Sequence, residues 1–596
     1  MSQRRQEETT VFVWRVVFRL RGNIVVDDDV ALARREIETL VGARVRAVGE
    51  SEWAAFVRAG WLSPHDVAIG HDAAFWCECS SVDVARLFWR LSFCEWVLVV
   101  APTDSVVWTA CVPRRFVRVR VVDDRVCALF LPFNTVAEWS GVVVNGTETP
   151  AESVARLERA VDAVLSGDDG GDFVCAVSRS CRATGHLFHG LHVYKAKFFP
   201  RLARACLNEC AAESVLDPFV GSGTALVEAS VMGVRSLGVD IDPLAVAIAR
   251  AKLSLLHAGE ETAEAIAEVL RRLESDASAP MRCACVPPFL SRRLPDDVVH
   301  AVETDVGACF ALLSDFPWCS PLHIALSDAI ARKFKFRFVG LGYARFSLSV
   351  ARSSVRAMFL QNLRWLARSC AVWHWLRAQS GVRLAPATVL HGDARTLPLE
   401  DGTVQAIVTS PPYMPASSGR ESYLRSKACS LIALGLMDAE TIDAAEHAQM
   451  GSVVGAGQID DCPAEARELV AWLETDPSRR VKAHPTARYF ADLQRALSEM
   501  ARVLQTGGRC AVVVADRHVF YRYRTREVVR AVQNAEIVAQ MGVRAGLELT
   551  YTVPVELRKR NAVARPRARD SYAETVLGFR KREDTELRLR SASFAS

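Results

Sequence analysis

The run Ser214-Val215-Leu216-Asp217-Pro218-Phe219-Val220-Gly221-Ser222-Gly223-Thr224 carries an apolar strand directly into a glycine turn, and the turn opens a helix through Ala225-Leu226-Val227-Glu228-Ala229. Glycines at 221 and 223 let the backbone take positive φ and let a ligand approach to contact distance, while the helix aims its free N–H groups at that ligand. A second strand, Ser236-Leu237-Gly238-Val239-Asp240, ends in a carboxylate. Asp240 lies about twenty residues past the glycines, the reach expected of an acid that binds ribose hydroxyls.

Two other readings of this loop fail. A dinucleotide fingerprint wants a third glycine near Leu226, and a phosphate loop wants Gly-Lys-Ser/Thr, whereas the loop holds no lysine to meet a triphosphate. The pocket suits an adenosine with an uncharged tail, such as S-adenosylmethionine. Asp217, Phe219, Gly221, Gly223, Thr224 and Asp240 are its candidate contacts.

Downstream, Val404-Gln405-Ala406-Ile407-Val408-Thr409 reads as another strand and ends in Ser410-Pro411-Pro412-Tyr413. At these two motifs the chain resembles the amino-methyltransferases that modify exocyclic amines of bases, in particular site-specific DNA methyltransferases of the cytosine-N(4)/adenine-N(6) type. Their hallmarks are Asp-Pro-Phe-x-Gly-Ser-Gly-Thr and Ser/Asp/Asn-Pro-Pro-Tyr. The resemblance implies an α/β fold with a Rossmann-like, class I S-adenosylmethionine-dependent domain. It extends to His192-Val193-Tyr194-Lys195-Ala196-Lys197-Phe198, similar to a segment that folds over the methionine end of the cofactor, with Lys195 or Lys197 as its contact. Asp393, in His391-Gly392-Asp393-Ala394-Arg395, resembles the carboxylate that hydrogen-bonds the adenine. Residues 186–255, 386–427 and parts of 490–582 are covered, and Val220 replaces the cysteine or similar small residue usual in the family.

The chemistry explains the second motif. An exocyclic amine conjugated to a base ring is a poor nucleophile, so acceptors on its N–H bonds must draw its lone pair out of the ring. Ser410 Oγ and the Pro411 carbonyl are the candidates. Two prolines stiffen the turn and add no competing N–H, while Tyr413 can stack on a base flipped out of its helix. In-line attack on a sulfonium methyl depends on positioning and requires no metal.

The chain of 596 residues is half apolar, enough for several cores, and its formal charge of +4 does not by itself predict nucleic acid. The distribution says more. Arg332-Lys333-Phe334-Lys335-Phe336-Arg337-Phe338 alternates basic and aromatic residues, and Arg558, Lys559, Arg560, Arg565, Arg567 and Arg569 cluster near the C-terminus. Lys333, Lys335, Arg337, Arg558 and Lys559 are therefore candidate contacts for phosphates and bases, set against a half-buried strand and a solvated surface run. Seventeen scattered cysteines form no disulfide framework; Cys77/Cys79 and Cys283/Cys285 lack zinc-ligand spacing, so reduced buried thiols and no metal are expected. The first residues lack a signal-peptide core, and no apolar run reaches ~18 residues, so a soluble cytoplasmic protein without membrane contact is expected.

Organisation follows from pattern. Residues 1–165 read as a small α+β domain that can bind nucleic acid: 11–20 alternate like a strand, Asp29 is placed to cap a helix through Leu32 and Ile37, and Phe116 to Phe133 form a hairpin turning at Asp123-Asp124. A polar, glycine-rich linker spans 166–185. The methyltransferase-like domain takes 186–255 and 386–596, interrupted by an insert at 256–385 that is either a substrate-recognition element or a helical brace for the sheet. Ser275 to Pro280 and Ala416 to Arg420 read as loops, Leu497 to Leu504 as a helix ended by Gly507-Gly508, and Cys510–Ala515 and Glu574–Phe579 as strands.

DNA is the favoured partner because Ser410 stands where the RNA enzymes of this type usually carry aspartate, and because Pro243-Leu244-Ala245 and Tyr423 to Leu436 match the DNA branch more closely. The alternative is a tRNA guanosine-N(2) methyltransferase with an N-terminal RNA-binding domain, whose opening helix Ala31–Ile37 resembles. A third reading is a catalytically silent nucleic-acid-binding protein that keeps the fold.

Overall fold

The computed structural model describes residues 13–21, 27–62, 74–103, 111–166, 185–194, 197–275, 281–317, 320–338, 346–414, 424–451, 457–522, 525, 527–557 and 572–582. The chain divides into two compact units, Met1–Ala183 with His374–Val382, and Thr184–Trp373 with Arg383–Ser596. The proposed linker 166–185 apart from its two end residues, Lys195, the loop from Ser275 to Pro280 apart from Ser275, the loop from Ala416 to Arg420, Tyr423, and the basic cluster holding Arg558 and Lys559 lie outside the described residues.

The first unit holds β1 (Trp14–Leu20), β2 (Arg46–Ala47), β3 (Ala74–Cys79), β4 (Cys94–Pro102), β5 (Val117–Val122) and β6 (Arg125–Phe130) in one antiparallel sheet, order β2-β3-β1-β4-β6-β5. The β5–β6 hairpin turns at Asp123-Asp124, as the sequence predicts. In β1 the expected alternation gives way to continuous burial from Val16 through Leu20, because the strand sits inside the sheet between β3 and β4. The first helix, Asp27–Val41, begins two residues before Asp29, which therefore lies in its first turn rather than capping it. Residues 374–382, read above as part of the insert, belong to this unit: Trp375 donates to Glu158 at 2.7 Å and meets Phe116 edge-on.

In the second unit β7 (Ser214–Asp217), β8 (Arg235–Asp240), a hairpin of β9 (Phe334–Phe338) and β10 (Phe346–Val350), β11 (Ala387–His391), β12 (Val404–Thr409), β13 (Leu504–Ala515), a hairpin of β14 (Arg517–Tyr521) and β15 (Val528–Gln533), β16 (Leu547–Leu557) and β17 (Tyr572–Lys581) follow in sequence. Seven of them form one sheet in the order β11-β8-β7-β12-β13-β17-β16. The first five strands run parallel, and β17 is antiparallel to both neighbours. This doubly wound sheet with a reversed last hairpin is a Rossmann-like α/β fold, the class expected from the sequence. Successive strands proceed from β7 to one side and return to β12 on the other, so the ends of β7 and β12 flank the switch point, where such folds open a ligand crevice.

Helix Ala483–Val503 shows why the sheet is stable. Phe490, Leu493, Leu497 and Met500, spaced three and four apart, all enter the core with Leu216, Ile407, Val512 and Leu577. Each such burial is worth about 1.5–3 kcal/mol relative to exposure. The helix is longer than the sequence predicts, and β13 begins at Leu504, running through Gly507-Gly508 instead of starting after them. The reason is pairing: Val404 of β12 already meets Leu504, the register shifts before Ala406 meets Arg509, and Gly507 absorbs the irregularity at φ +75°.

The insert is mainly helical, and helix Pro321–Lys333 is buried along nearly its whole length. Asp328 accepts the Val193 N–H at 2.7 Å, His192 Nε2 lies 3.2 Å from Ser327 Oγ, and Ser430 donates to the Ser327 carbonyl at 3.1 Å. This helix braces the segment that resembles the cofactor flap. Among the described residues no helix is long and apolar enough to cross a membrane.

Candidate active site

The two motifs meet in one cleft at the switch point. Its wall includes Asp217, Phe219, Gly221, Thr224, Asp240, Asp393, Lys197 and the whole turn Ser410–Tyr413, joining residues that lie more than two hundred positions apart. Gly223 belongs to the same loop and precedes the helix Thr224–Val231.

Both glycines use positive φ, +49° at Gly221 and +79° at Gly223. A Cβ on Gly223 would lie 2.8 Å from the Ala249 Cβ, so the loop sits directly on helix Pro243–His257. The close packing that a dinucleotide fold obtains from a third loop glycine comes here from Gly238 on β8, where a Cβ would meet Val220 at 2.5 Å and Leu226 at 2.9 Å. From behind, the fully buried Lys252 donates to the Ser222 carbonyl at 2.8 Å, and burial holds its pKa well below the lysine value.

Asp240 is fixed by the loop it serves: Oδ2 accepts the Gly221 N–H at 2.7 Å and Oδ1 the Asp242 N–H at 2.9 Å. Each oxygen keeps a further lone pair for a ligand hydroxyl. Burial, then the nearby Asp242 carboxylate, pushes its pKa up to about 6. Asp217 also lines the cleft but is buried; its Oδ1 accepts from Thr409 Oγ1 at 2.6 Å and from the Phe219 N–H at 3.1 Å, tying the end of β7 to the end of β12. Desolvation raises its pKa to about 7. Asp393 behaves oppositely: burial opposes ionisation, but the hydrogen bonds and charge of Arg395, with an ion pair at 2.7 Å, outweigh it and lower the pKa. The adenine role implied for Asp393 must therefore share that carboxylate with Arg395, which also pairs with Asp492 at 2.9 Å.

The flap segment closes one side. A Cβ on Gly221 would stand 3.2 Å from the Tyr194 ring; Lys427 lies 4.4 Å from that ring's centroid and pairs with Asp242 at 2.5 Å. Lys197 hydrogen-bonds the His189 carbonyl, and burial lowers its pKa to about 8. At the other side Tyr413 donates its hydroxyl to Glu574 Oε1 at 2.6 Å, and burial, then the Glu574 charge, pushes the phenol pKa well above its usual value.

The sequence missed Tyr194, Asp242, Arg395, Lys427 and Glu574 as site residues. Asp242 carried a signal, since Asp before Pro243 is a helix-start pattern and its Oδ1 caps Leu244 at 2.9 Å. Glu574 carried none, because only the fold brings β17 beside the turn.

The basic–aromatic strand divides. Lys333 is buried, donating to the carbonyls of Ala351 at 2.9 Å and Ser353 at 3.0 Å, so it ties the base of the β9–β10 hairpin and is not placed to meet a phosphate. Lys335 is exposed; the side chain of Arg337 lies outside the described residues.

Among the described residues one group has metal-ligating chemistry: His186, His189 and Glu228, all buried. His189 Nε2 lies 2.9 Å from Glu228 Oε1, while Arg204 Nε donates to Oε2 at 2.8 Å. Burial would raise Glu228, but Arg204 and the histidines hold its pKa well below the carboxylate range, and burial lowers His189 to about 3. A guanidinium already balances this carboxylate, so an added dication would bury uncompensated charge.

The cleft fits an adenosine cofactor on its own features. It has a glycine cradle, an acid held with spare lone pairs, and buried hydroxyls at Ser222 and Thr224 whose oxygens make no hydrogen bond within the protein.

No protein-family model matches the chain. It is 45% identical over 67 residues to the type II methyltransferase M.MjaII of Methanocaldococcus jannaschii, covering 11% of this chain and 13% of that protein. It is 36% identical over 74 residues to the type II methyltransferase M.MvaI of Kocuria varians, covering 12% and 16%. A stretch of 52 residues is 46% identical to the tRNA (guanine(10)-N2)-dimethyltransferase of Methanothermobacter thermautotrophicus, covering 8% and 16%. The chain thus spans less than a fifth of the length of each of these relatives.

Proposed function

We propose that this protein is an S-adenosylmethionine-dependent methyltransferase acting on an exocyclic amino group of a base in nucleic acid, with N(4) of cytosine in DNA as the target. The observation that carries the reading is the convergence, in one cleft, of the glycine cradle with Asp240 and the turn Ser410–Tyr413. Relatives named as type II methyltransferases support it. The cofactor supplies an electrophilic methyl group. Gly221, Thr224 and Asp240 bind its adenosine, and Lys197 and Tyr194 close over its other end. Ser410 Oγ and the Pro411 carbonyl accept the amine N–H bonds, which frees the nitrogen lone pair from the ring as the nitrogen becomes pyramidal. Tyr413 stacks on the flipped base. The exposed Lys335, with Arg337, Arg558 and Lys559, supplies phosphate contacts.

A tRNA guanine amine is the second reading, favoured by the match to a tRNA dimethyltransferase. Mass spectrometry of modified nucleosides from DNA and tRNA, in cells with and without the gene, decides between them: N(4)-methylcytosine in DNA is expected, and N(2)-methylguanosine confined to tRNA would transfer the assignment. Calorimetry addresses the silent alternative, since a protein that releases no heat with S-adenosylmethionine is not the enzyme described.

A further inference from the structure

We propose that Glu574 receives, through Tyr413, the proton that the target amine must shed, and that it is the positioning residue for the turn Ser410–Tyr413. The inference rests on the function proposed above. A tyrosine that only stacks needs its ring; here the hydroxyl also makes a 2.6 Å bond to a carboxylate, the length of a charge-assisted O–H···O⁻ contact. Ser410 shares the four-residue turn and the cleft wall with Tyr413, so the proposed chain runs from the amine site through Ser410 and Tyr413 to Glu574. Glu574 is rigidly held: β17 pairs it with Ala515 of β13 on one side and Val555 of β16 on the other. Such a ladder position fixes the Cα and Cβ of Glu574, and the bond from Tyr413 fixes where its carboxylate lies.

The proton balance is simple. When the N–C bond forms and the S–C bonding pair stays with sulfur, the nitrogen is left cationic with one surplus proton. That proton passes to Ser410 Oγ as the Ser410 proton passes to Tyr413 Oη and the Tyr413 proton to Glu574, leaving a neutral methylated amine and a neutral carboxylic acid. Because the phenol is held protonated by burial and by Glu574, it conducts a proton only by gaining one as it loses one. Among the described residues, the titratable groups near this chain include Tyr489 from helix Ala483–Val503, Asp516, bonded to the neighbouring Thr575 at 2.9 Å, and Asp217 and Asp240 on the wall of the same cleft.

The test compares Glu574→Gln, Tyr413→Phe and the double variant. Glu574→Gln should leave the dissociation constants for cofactor and base substrate within about twofold while kcat falls about 10²-fold, recovering as pH rises and solvent takes the proton. Tyr413→Phe keeps the ring and should lose as much, and the double variant should be no slower than either, because one chain is cut twice. Independently of activity, the ¹³Cζ resonance of Tyr413, assigned by its loss in Tyr413→Phe, should titrate at lower pH in Glu574→Gln than in the wild type. A wild-type rate and pH profile in Glu574→Gln, additive losses, or an unmoved Tyr413 titration each overturn the relay. Loss of affinity with an unchanged pH profile leaves Glu574 a structural prop and overturns it too. A wild-type protein that methylates neither DNA nor tRNA removes the proposed function, and the relay with it, whatever the phenol titration shows.

Discussion

The two ends of the cleft are built differently. At the glycine end, Asp240 is held by backbone N–H groups two and nineteen residues away, all within one strand–loop–helix unit. At the turn end, Tyr413 is held by a carboxylate 161 residues away on the last strand, and β12 is tied to β7 by the Thr409–Asp217 bond across 192. A cradle made from contiguous chain positions a cofactor as soon as that unit forms. A turn that depends on distant strands positions its acceptors only when the whole sheet is complete, and mutations at the two ends should therefore fail in different ways.

The largest effect is expected at the turn. Ser410→Ala removes a hydrogen bond that strengthens along the reaction, so turnover should fall by about 10²-fold or more with substrate affinity nearly unchanged. Single-turnover kinetics beside equilibrium binding separate the two quantities, and wild-type turnover would make the motif merely the end of a strand. At the cradle the pattern should invert. Asp240→Ala should cost about 2–3 kcal/mol of cofactor affinity. Calorimetry that finds the wild-type dissociation constant takes Asp240 out of the site.

Acidity sharpens the contrast further. Asp240 and Asp217 titrate at about 6 and about 7 in the folded protein, above the unfolded value near ~3.9, so both bind protons more tightly when folded. Their contribution to stability is full below pH ~4 and is lost as pH rises through about 6 and 7. Cofactor binding has the opposite sign, because ribose hydroxyls donate best to ionised Asp240. Affinity should drop up to about tenfold per pH unit below pH 6 and level off above it. Asp240→Asn should flatten that slope, and an equally steep slope in the Asp240→Asn variant would assign the titration elsewhere.

The same division governs how much was legible in the sequence. Strands β7, β8 and β12 were readable because each is a short apolar run ending in a turn, and the cradle followed because its partners are neighbours in the chain. Gly507-Gly508 misled because two glycines mark a break by local rules, whereas β12 pairs with Leu504 before them and with Arg509 after them, so one strand runs across both. Arg395 and Lys427 look like ordinary surface cations until the fold sets them against Asp393, Asp492 and Asp242. Glu574 is the extreme case, a strand residue whose role exists only in the contact it makes.

The smallest expected effect separates two lysines that the sequence treats alike. Lys333 and Lys335 alternate with aromatics in one strand pattern, yet the first spends its ammonium on two carbonyls at the foot of the hairpin and the second is exposed. If Lys335 neutralises one phosphate, Lys335→Ala should flatten the slope of log affinity against log salt by about 0.7–0.9 and leave thermal stability alone, since an exposed side chain contributes little to folding. Lys333→Ala should do the reverse, lowering Tm by removing a buried side chain and the donor it gives to two carbonyls at the foot of the hairpin, while the salt slope stays put. Filter binding across a salt series, run on duplex DNA and on tRNA, reads both slopes. Equal slopes for Lys335→Ala and wild type on both nucleic acids would make Lys335 solvated surface and leave the phosphate contacts to be sought elsewhere, starting with Arg558 and Lys559.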